Sequence, residues 1–298
     1  MWLSPPDPWK NHNVSCESQH KGTTTWWIHG ETFSEWKYSG SSSLLWLHGK
    51  RYVISFRFGR FARTYYYHLH SGSREERPFV CWSFYPLCME SNVLSSPSSS
   101  IIQDIRGMCA SGLALLAFFY CDFRDDQKRH RRGLLLSLLV QLCDQSDSCS
   151  AVLSIFYSAH GNGAQHPSDS ELLQCLMEML EIPGQPTVYI IIDALDECPK
   201  ATNIPSPRER VVDLVEELVM SRLSNLRVCV TSRPEADIAF VLDPLVFRSI
   251  SIHEERGQIR DITEYIKFVV NTDREMRRWK ASDKGLVIST LTAKADGM

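Results

Sequence analysis

Two stretches of this sequence hold residues whose types and spacing can do chemistry. The first is Thr187-Val-Tyr-Ile-Ile-Ile-Asp193-Ala-Leu-Asp196-Glu197, an apolar run that delivers Asp193 at its end with two more carboxylates close behind. Hydrolysis of a nucleotide needs one carboxylate to hold Mg²⁺ and another to orient or deprotonate the attacking water. The spacing suits Asp193 to the metal and Glu197 to the base, with Asp196 beside it as the second residue of the catalytic pair. The plainer alternative is a strand that ends in a solvated acidic turn. The second stretch is Leu226-Arg-Val-Cys-Val-Thr231-Ser-Arg233-Pro234, where another apolar run ends in polar residues. A guanidinium at that end can contact a phosphate; the alternative is an arginine on a surface loop.

Both stretches read as buried strands, and the elements around them decide what they can reach. Leu44–Leu47, Leu113–Cys121, Thr187–Ile192, Leu226–Val230 and Val246–Ile252 are short apolar runs of strand type. Between them lie helical patterns: Ile101 to about Cys109, Gln127–Gln145 with a leucine stripe, and Ala151–Ser158. Two more helices open on Ser168-Asp-Ser-Glu171 and Ser206-Pro-Arg-Glu209, sequences that suit a capping box. Ahead of the strands, a Pro-rich extended opening leads to a short helix near Thr32–Lys37. The run Lys128-Arg-His-Arg-Arg132 reads as the solvated face of a helix start. Buried strands alternating with amphipathic helices predict an α/β fold, a parallel sheet flanked by helices. In such a sheet ligands sit at the carboxyl ends of the strands, which puts Asp193 and Arg233 on one edge.

Composition excludes several classes. The chain has 298 residues, 43% hydrophobic and 22% charged, with a net charge of −3, as expected for a folded globular protein. No apolar run approaches the ~18 residues that cross a bilayer, so no membrane partner is expected. The first residues carry neither the basic nor the apolar region of a secretory leader. Ten scattered cysteines with no C-x-x-C pair read as free thiols of a reducing compartment, hence a cytoplasmic protein. Nucleic acid is not expected as a partner, because the arginines and tyrosines of residues 51–92 show no strand or helix period to present them on one face.

Taken in order, the motifs resemble the NACHT branch of the STAND P-loop NTPases, in the fungal form described as nephrocystin-like. The matching stretches are Trp2-Leu-Ser-Pro-Pro-Asp-Pro, Leu45-Trp-Leu-His-Gly-Lys50, Ser99-Ser-Ile-Ile-Gln-Asp-Ile105, Phe118-Phe-Tyr-Cys-Asp-Phe123, Arg132-Gly-Leu-Leu, Ile190–Cys198 and Val230-Thr-Ser-Arg-Pro234. The resemblance implies a P-loop NTPase-type fold with a Walker B strand, binding Mg²⁺ with ATP or GTP as a signal-transduction switch and forming homo-oligomers. It implies a metal role for Asp193, a catalytic acidic position at Glu197 and a sensor role for Arg233. It also divides the chain into a lead-in over 1–43, a nucleotide-binding domain over 44–252, and a helical region over 253–298 that stops in mid-pattern. The repeat or effector domains of such proteins have no counterpart in these residues.

The phosphate-binding loop departs from the pattern. G-x-x-x-x-G-K-[ST] uses glycines so that backbone N–H groups cradle phosphates, a lysine to neutralise them and a hydroxyl to hold Mg²⁺. Gly49 matches the first glycine, but Arg51-Tyr-Val-Ile follows Lys50 where the motif requires its remaining residues. Residues 51–92 hold 11 of the 31 aromatic residues and six arginines, with no lysine or aspartate. Three readings stay open for this atypical insertion, expected to be disordered. It is non-coding sequence carried into the reading frame, a true insertion in a nucleotide-incompetent relative, or a basic-aromatic module for nucleic acid; the odd composition and the junctions favour the first. Binding of nucleotide is therefore expected to be impaired, and an interaction module that retains the fold is the alternative function.

Overall fold

Strands buried along their length need cover on both faces, and four of the five strands of the main sheet have it, whereas the edge strand Val246–Ser251 is largely exposed. A computed structural model describes residues 2–18, 25–49, 56–58, 84–87, 97–200, 205–252, 256–274 and 276–295. The main sheet contains β1 (Ser43–His48), β4 (Ala114–Tyr120), β5 (Thr187–Asp193), β6 (Leu226–Ser232) and β7 (Val246–Ser251). All five are parallel, in the order β4-β5-β6-β1-β7. A separate antiparallel pair joins β2 (Phe56–Phe58) to β3 (Phe84–Leu87). Apart from those two strands, the disorder expected of 51–92 concerns residues outside the described ones.

Handedness explains where the helices lie. From β4 through β5 and β6 to β7 the chain steps across the sheet in one direction, whereas β1 to β4 runs back the other way. Right-handed crossovers in opposite directions place their helices on opposite faces. Accordingly α5 (Arg131–Cys143), α6 (Asp147–Ala159), α7 (Asp169–Leu180), α8 (Pro207–Met220) and α9 (Ala236–Leu242) share one core. There Leu138, Leu176, Val215 and Ile238 pack with Trp46, Phe119, Ile190 and Val228. The other face is covered by α2 (Thr25–Ile28), α3 (Glu31–Lys37) and α4 (Pro97–Ala110), through Trp27, Trp36, Ile101 and Ile105 against Leu45, Phe118 and Ile191. Each fully buried Leu or Ile of these layers contributes roughly 1.5–3 kcal/mol. Because β1 feeds α4 on one face and β6 feeds α9 on the other, the crevice of the sheet opens at their carboxyl ends.

Most helix ends follow the local signals. Ser168 with Glu171 and Ser206 with Glu209 form complete capping boxes, the second with Pro207 at the first helical position. The helix expected from Gln127 starts later, at Arg131. Asp125 caps a 3₁₀ turn over Asp126–Lys128, and Gly133 lies so close to the Gln127 carbonyl that a Cβ would clash with it. Lys128 is not on a solvated face: it is 3% exposed, and its Nζ donates to Asp7 O and Asn11 Oδ1, both at 2.6 Å. The extended opening also gives way to a helix, α1 (Trp9–Ser18), begun where Asp7 accepts the Trp9 N–H at 2.8 Å. Past the sheet, α10 (Arg256–Thr272) and α11 (Ala281–Ala295) pack together around Ile262, Ile266 and Val270, and Trp26 donates to Asp261 of α10 at 2.9 Å. No helix among the described residues is long and apolar enough to cross a membrane.

Candidate functional site

The ends of β5, β6 and β1 lie side by side, and they carry Asp193, Arg233 and Gly49 respectively. Asp193 is the last residue of β5, half-buried behind five buried residues of that strand. Its Oδ1 accepts two hydroxyl hydrogens, from Thr231 of β6 at 2.6 Å and from Ser98 of α4 at 2.7 Å. Thr231 also accepts the Ala194 N–H at 2.9 Å, so one hydroxyl fixes both the carboxylate and the backbone that follows it.

That backbone turns sharply. Ala194 adopts the left-handed conformation, with φ of 54° and ψ of 45°, which costs a residue with a Cβ roughly 1–2 kcal/mol. The turn opens a 3₁₀ segment over Leu195–Glu197, which brings all three predicted acidic residues to the carboxyl edge. Arg208 of α8 holds it there. This arginine is 6% exposed; it donates through Nε to Cys198 O at 2.8 Å and through Nη2 to Asp196 O, and its Nη1 pairs with Glu235 Oε2 at 2.6 Å. Lys200 joins the same network, 2.8 Å from both Glu235 and Asp237.

The three carboxylates differ in what they meet. Asp196 is the partner of Arg233: Oδ1 accepts the Arg233 backbone N–H at 3.0 Å and Oδ2 lies 3.1 Å from its Nε. The guanidinium that the sequence offers to a phosphate is thus engaged by a carboxylate of the same edge. Among the described residues Glu197 has no such counter-ion. Burial raises its pKa, the charges of Asp122, Asp193 and Asp196 raise it further, and a hydrogen bond from the Phe123 backbone opposes them. A carboxyl pushed up by burial and like charge is a stronger base than a free carboxylate.

Gly49 follows β1 directly, and its N–H donates to Ser232 O at 3.3 Å, so it sits on the same edge as Arg233. Lys50 and the residues up to Ser96, other than β2 and β3, lie outside the described residues. Sequence reading missed Ser98, Thr231 and Arg208. Ser98 lies in a Ser/Pro cluster that reads only as a helix cap, and it meets Asp193 across 95 positions. A hydroxyl residue at the end of the strand next to an acidic strand end is the signal that finds Thr231.

An oxygen donor set of one carboxylate and hydroxyls fits a hard cation such as Mg²⁺, which takes few protein ligands and completes its shell with water and substrate oxygens. Among the described residues no group of three or more His, Cys, Asp or Glu side chains is arranged to hold a metal by itself. A search of curated proteins finds no match to the chain. Residues 95–233 match the family described as Nephrocystin 3, N-terminal, and this stretch, from just ahead of α4 to Arg233 and without Gly49, is nephrocystin-like.

Proposed function

We propose that the chain is a nucleotide-binding switch domain of the NACHT, STAND P-loop NTPase kind whose phosphate-binding half is incomplete. The observation that carries this reading is the convergence of Ser98 and Thr231 on Asp193 at the end of a central strand. Asp193 and Ser98 would hold Mg²⁺, which when bound would supply positive charge to neutralise the phosphates of ATP or GTP. Glu197 accepts a proton from water, its affinity for that proton raised by burial and by Asp122. Asp196 keeps Arg233 beside the site. Gly49 supplies the only glycine of the phosphate loop in register, so affinity is low: each missing charge-assisted hydrogen bond removes roughly 1.5–3 kcal/mol. Oligomerisation and a cytoplasmic location belong to the same reading.

One observation favours the alternative of an interaction module. Arg233 and Arg208, two cations that hold the acidic turn, are both paired with carboxylates, so they strengthen the edge instead of facing a phosphate. A titration with a fluorescent ATP analogue and Mg²⁺ separates the two. Millimolar, Mg²⁺-dependent binding that Asp193→Ala abolishes supports the switch. A cooperatively folded chain whose residual binding ignores Asp193→Ala supports the module.

A further inference from the structure

The N-terminal helix carries a group of side chains that the acidic edge does not use. Cys16 and His12 are one turn apart on α1, with Sγ 3.4 Å from Nε2. The other ring nitrogen, Nδ1, is 3.1 Å from the Tyr120 hydroxyl of β4. From α4, the Gln103 amide donates to Cys16 Sγ at 3.1 Å. His12 is 2% exposed and held between aromatic rings, with centroids 5.6 Å from Trp9 and 5.3 Å from Phe118. Burial, aided by the nearby Arg106 charge, lowers its pKa, so the ring is neutral at pH 7 and able to accept a proton. Cys16 itself is only half-buried, whereas Cys121, Cys149, Cys175, Cys198 and Cys229 are buried. A nucleophile touching a base, with the base oriented by a third group, is the arrangement of an activated thiol.

We propose that Cys16 is a reactive thiol, a modification site for peroxides and soft carbon electrophiles, with His12 as its base and Tyr120 as the residue that orients His12. With hydrogen peroxide, His12 Nε2 takes the thiol proton as Sγ attacks one peroxide oxygen. The S–O bond forms, the O–O bond breaks, and the departing hydroxide leaves as water with the proton from His12. The sulfur, oxidised by two electrons, ends as a sulfenic acid. With iodoacetamide the S–C bond forms, iodide departs and the proton passes through His12 to solvent. The amide of Gln103 stabilises the thiolate as it develops. Tyr120 also hydrogen-bonds Ser98 beside Asp193, so the two sites adjoin, but the thiol chemistry uses no nucleotide and stands or falls separately from the function proposed above.

Cys109 is the internal reference, because it too is half-buried but has no base hydrogen-bonded to it among the described residues, and burial pushes its thiol up. The full chain is treated with iodoacetamide at pH 7.4, and labelling of each cysteine is followed by peptide mass spectrometry. Cys16 is expected to react about a hundredfold or more faster than Cys109, the lower end of the range for a positioned base. His12→Gln removes that excess, and Tyr120→Phe, which keeps the packing but loses the hydroxyl, reduces it part of the way. Trapping with dimedone after peroxide places the sulfenic acid on Cys16. Equal rates at Cys16 and Cys109 overturn the proposal. So does an unchanged or faster Cys16 in His12→Gln, since a variant that merely loosens α1 exposes the thiol and speeds its labelling.

Discussion

Glu197 costs the folded chain stability at neutral pH, and the sign follows from its surroundings. Burial first, then the Asp122 charge, sets its folded pKa above the unfolded value. The native state therefore binds this proton more tightly, and stability falls as pH rises through the window between the two values. Below the unfolded value both states are protonated and the penalty is gone. Glu197→Gln is expected to raise Tm at pH 7.5, by roughly 2–4 °C for each kcal/mol relieved, with the gain shrinking toward pH 4. A variant that melts lower than the parent at pH 7.5 contradicts this account. The hydroxyl of Thr231 makes the opposite case, because it donates to Asp193 and accepts from Ala194. Thr231→Val leaves both groups short of a partner in a half-buried turn, at a cost of about 1–3 kcal/mol, read from urea midpoints. A cost below ~0.5 kcal/mol would mean that water replaces the hydroxyl at both positions.

The acidic turn depends on α8 more than on its own residues. Its local rules were legible: Ser206, Pro207 and Glu209 announce the start of α8, as Ser168 and Glu171 announce α7, because a capping box lies within four residues. What α8 does for the site was not legible, since Arg208 reaches carbonyls 10 and 12 residues back and a carboxylate 27 residues on. The same distance hid α1, which has no clear apolar stripe and is anchored instead through His12 to Tyr120, 108 positions away. Arg208→Met should cost roughly 3 kcal/mol, the low end for a broken buried pair because Glu235 and Asp237 are about one-third exposed. Hydrogen exchange should quicken selectively at the amides of residues 194–198, while α7 keeps its protection. Uniform acceleration across the sheet would instead mark Arg208 as general scaffolding.

At the scale of the molecule, alternation of buried strands with amphipathic helices announced a parallel sheet, but the strand order rests on pairings that no local pattern encodes. That order brings Gly49, Arg233 and Asp193 to neighbouring strand ends, and it sets the N-terminus of α4, with Ser98, against Asp193. The acidic half of the proposed nucleotide site is thus assembled on the far side of residues 51–92 from the one glycine that matches the phosphate-loop motif. If the defect lies in that loop alone, restoring it should restore binding. Replacing residues 50–92 by x-x-x-x-Gly-Lys-Ser, joined to Val93, completes the motif that begins at Gly49. The regained lysine and amide contacts, each roughly 1.5–3 kcal/mol, should move the affinity for a Mg²⁺–ATP analogue from millimolar to micromolar, about 4 kcal/mol. Changing the grafted lysine to alanine, or Asp193 to alanine, should return it to millimolar. A graft that melts as cooperatively as the parent and still binds no better than millimolar removes the nucleotide site from this edge, and leaves Asp196–Arg233 and the Arg208 network as fixtures of an interaction module.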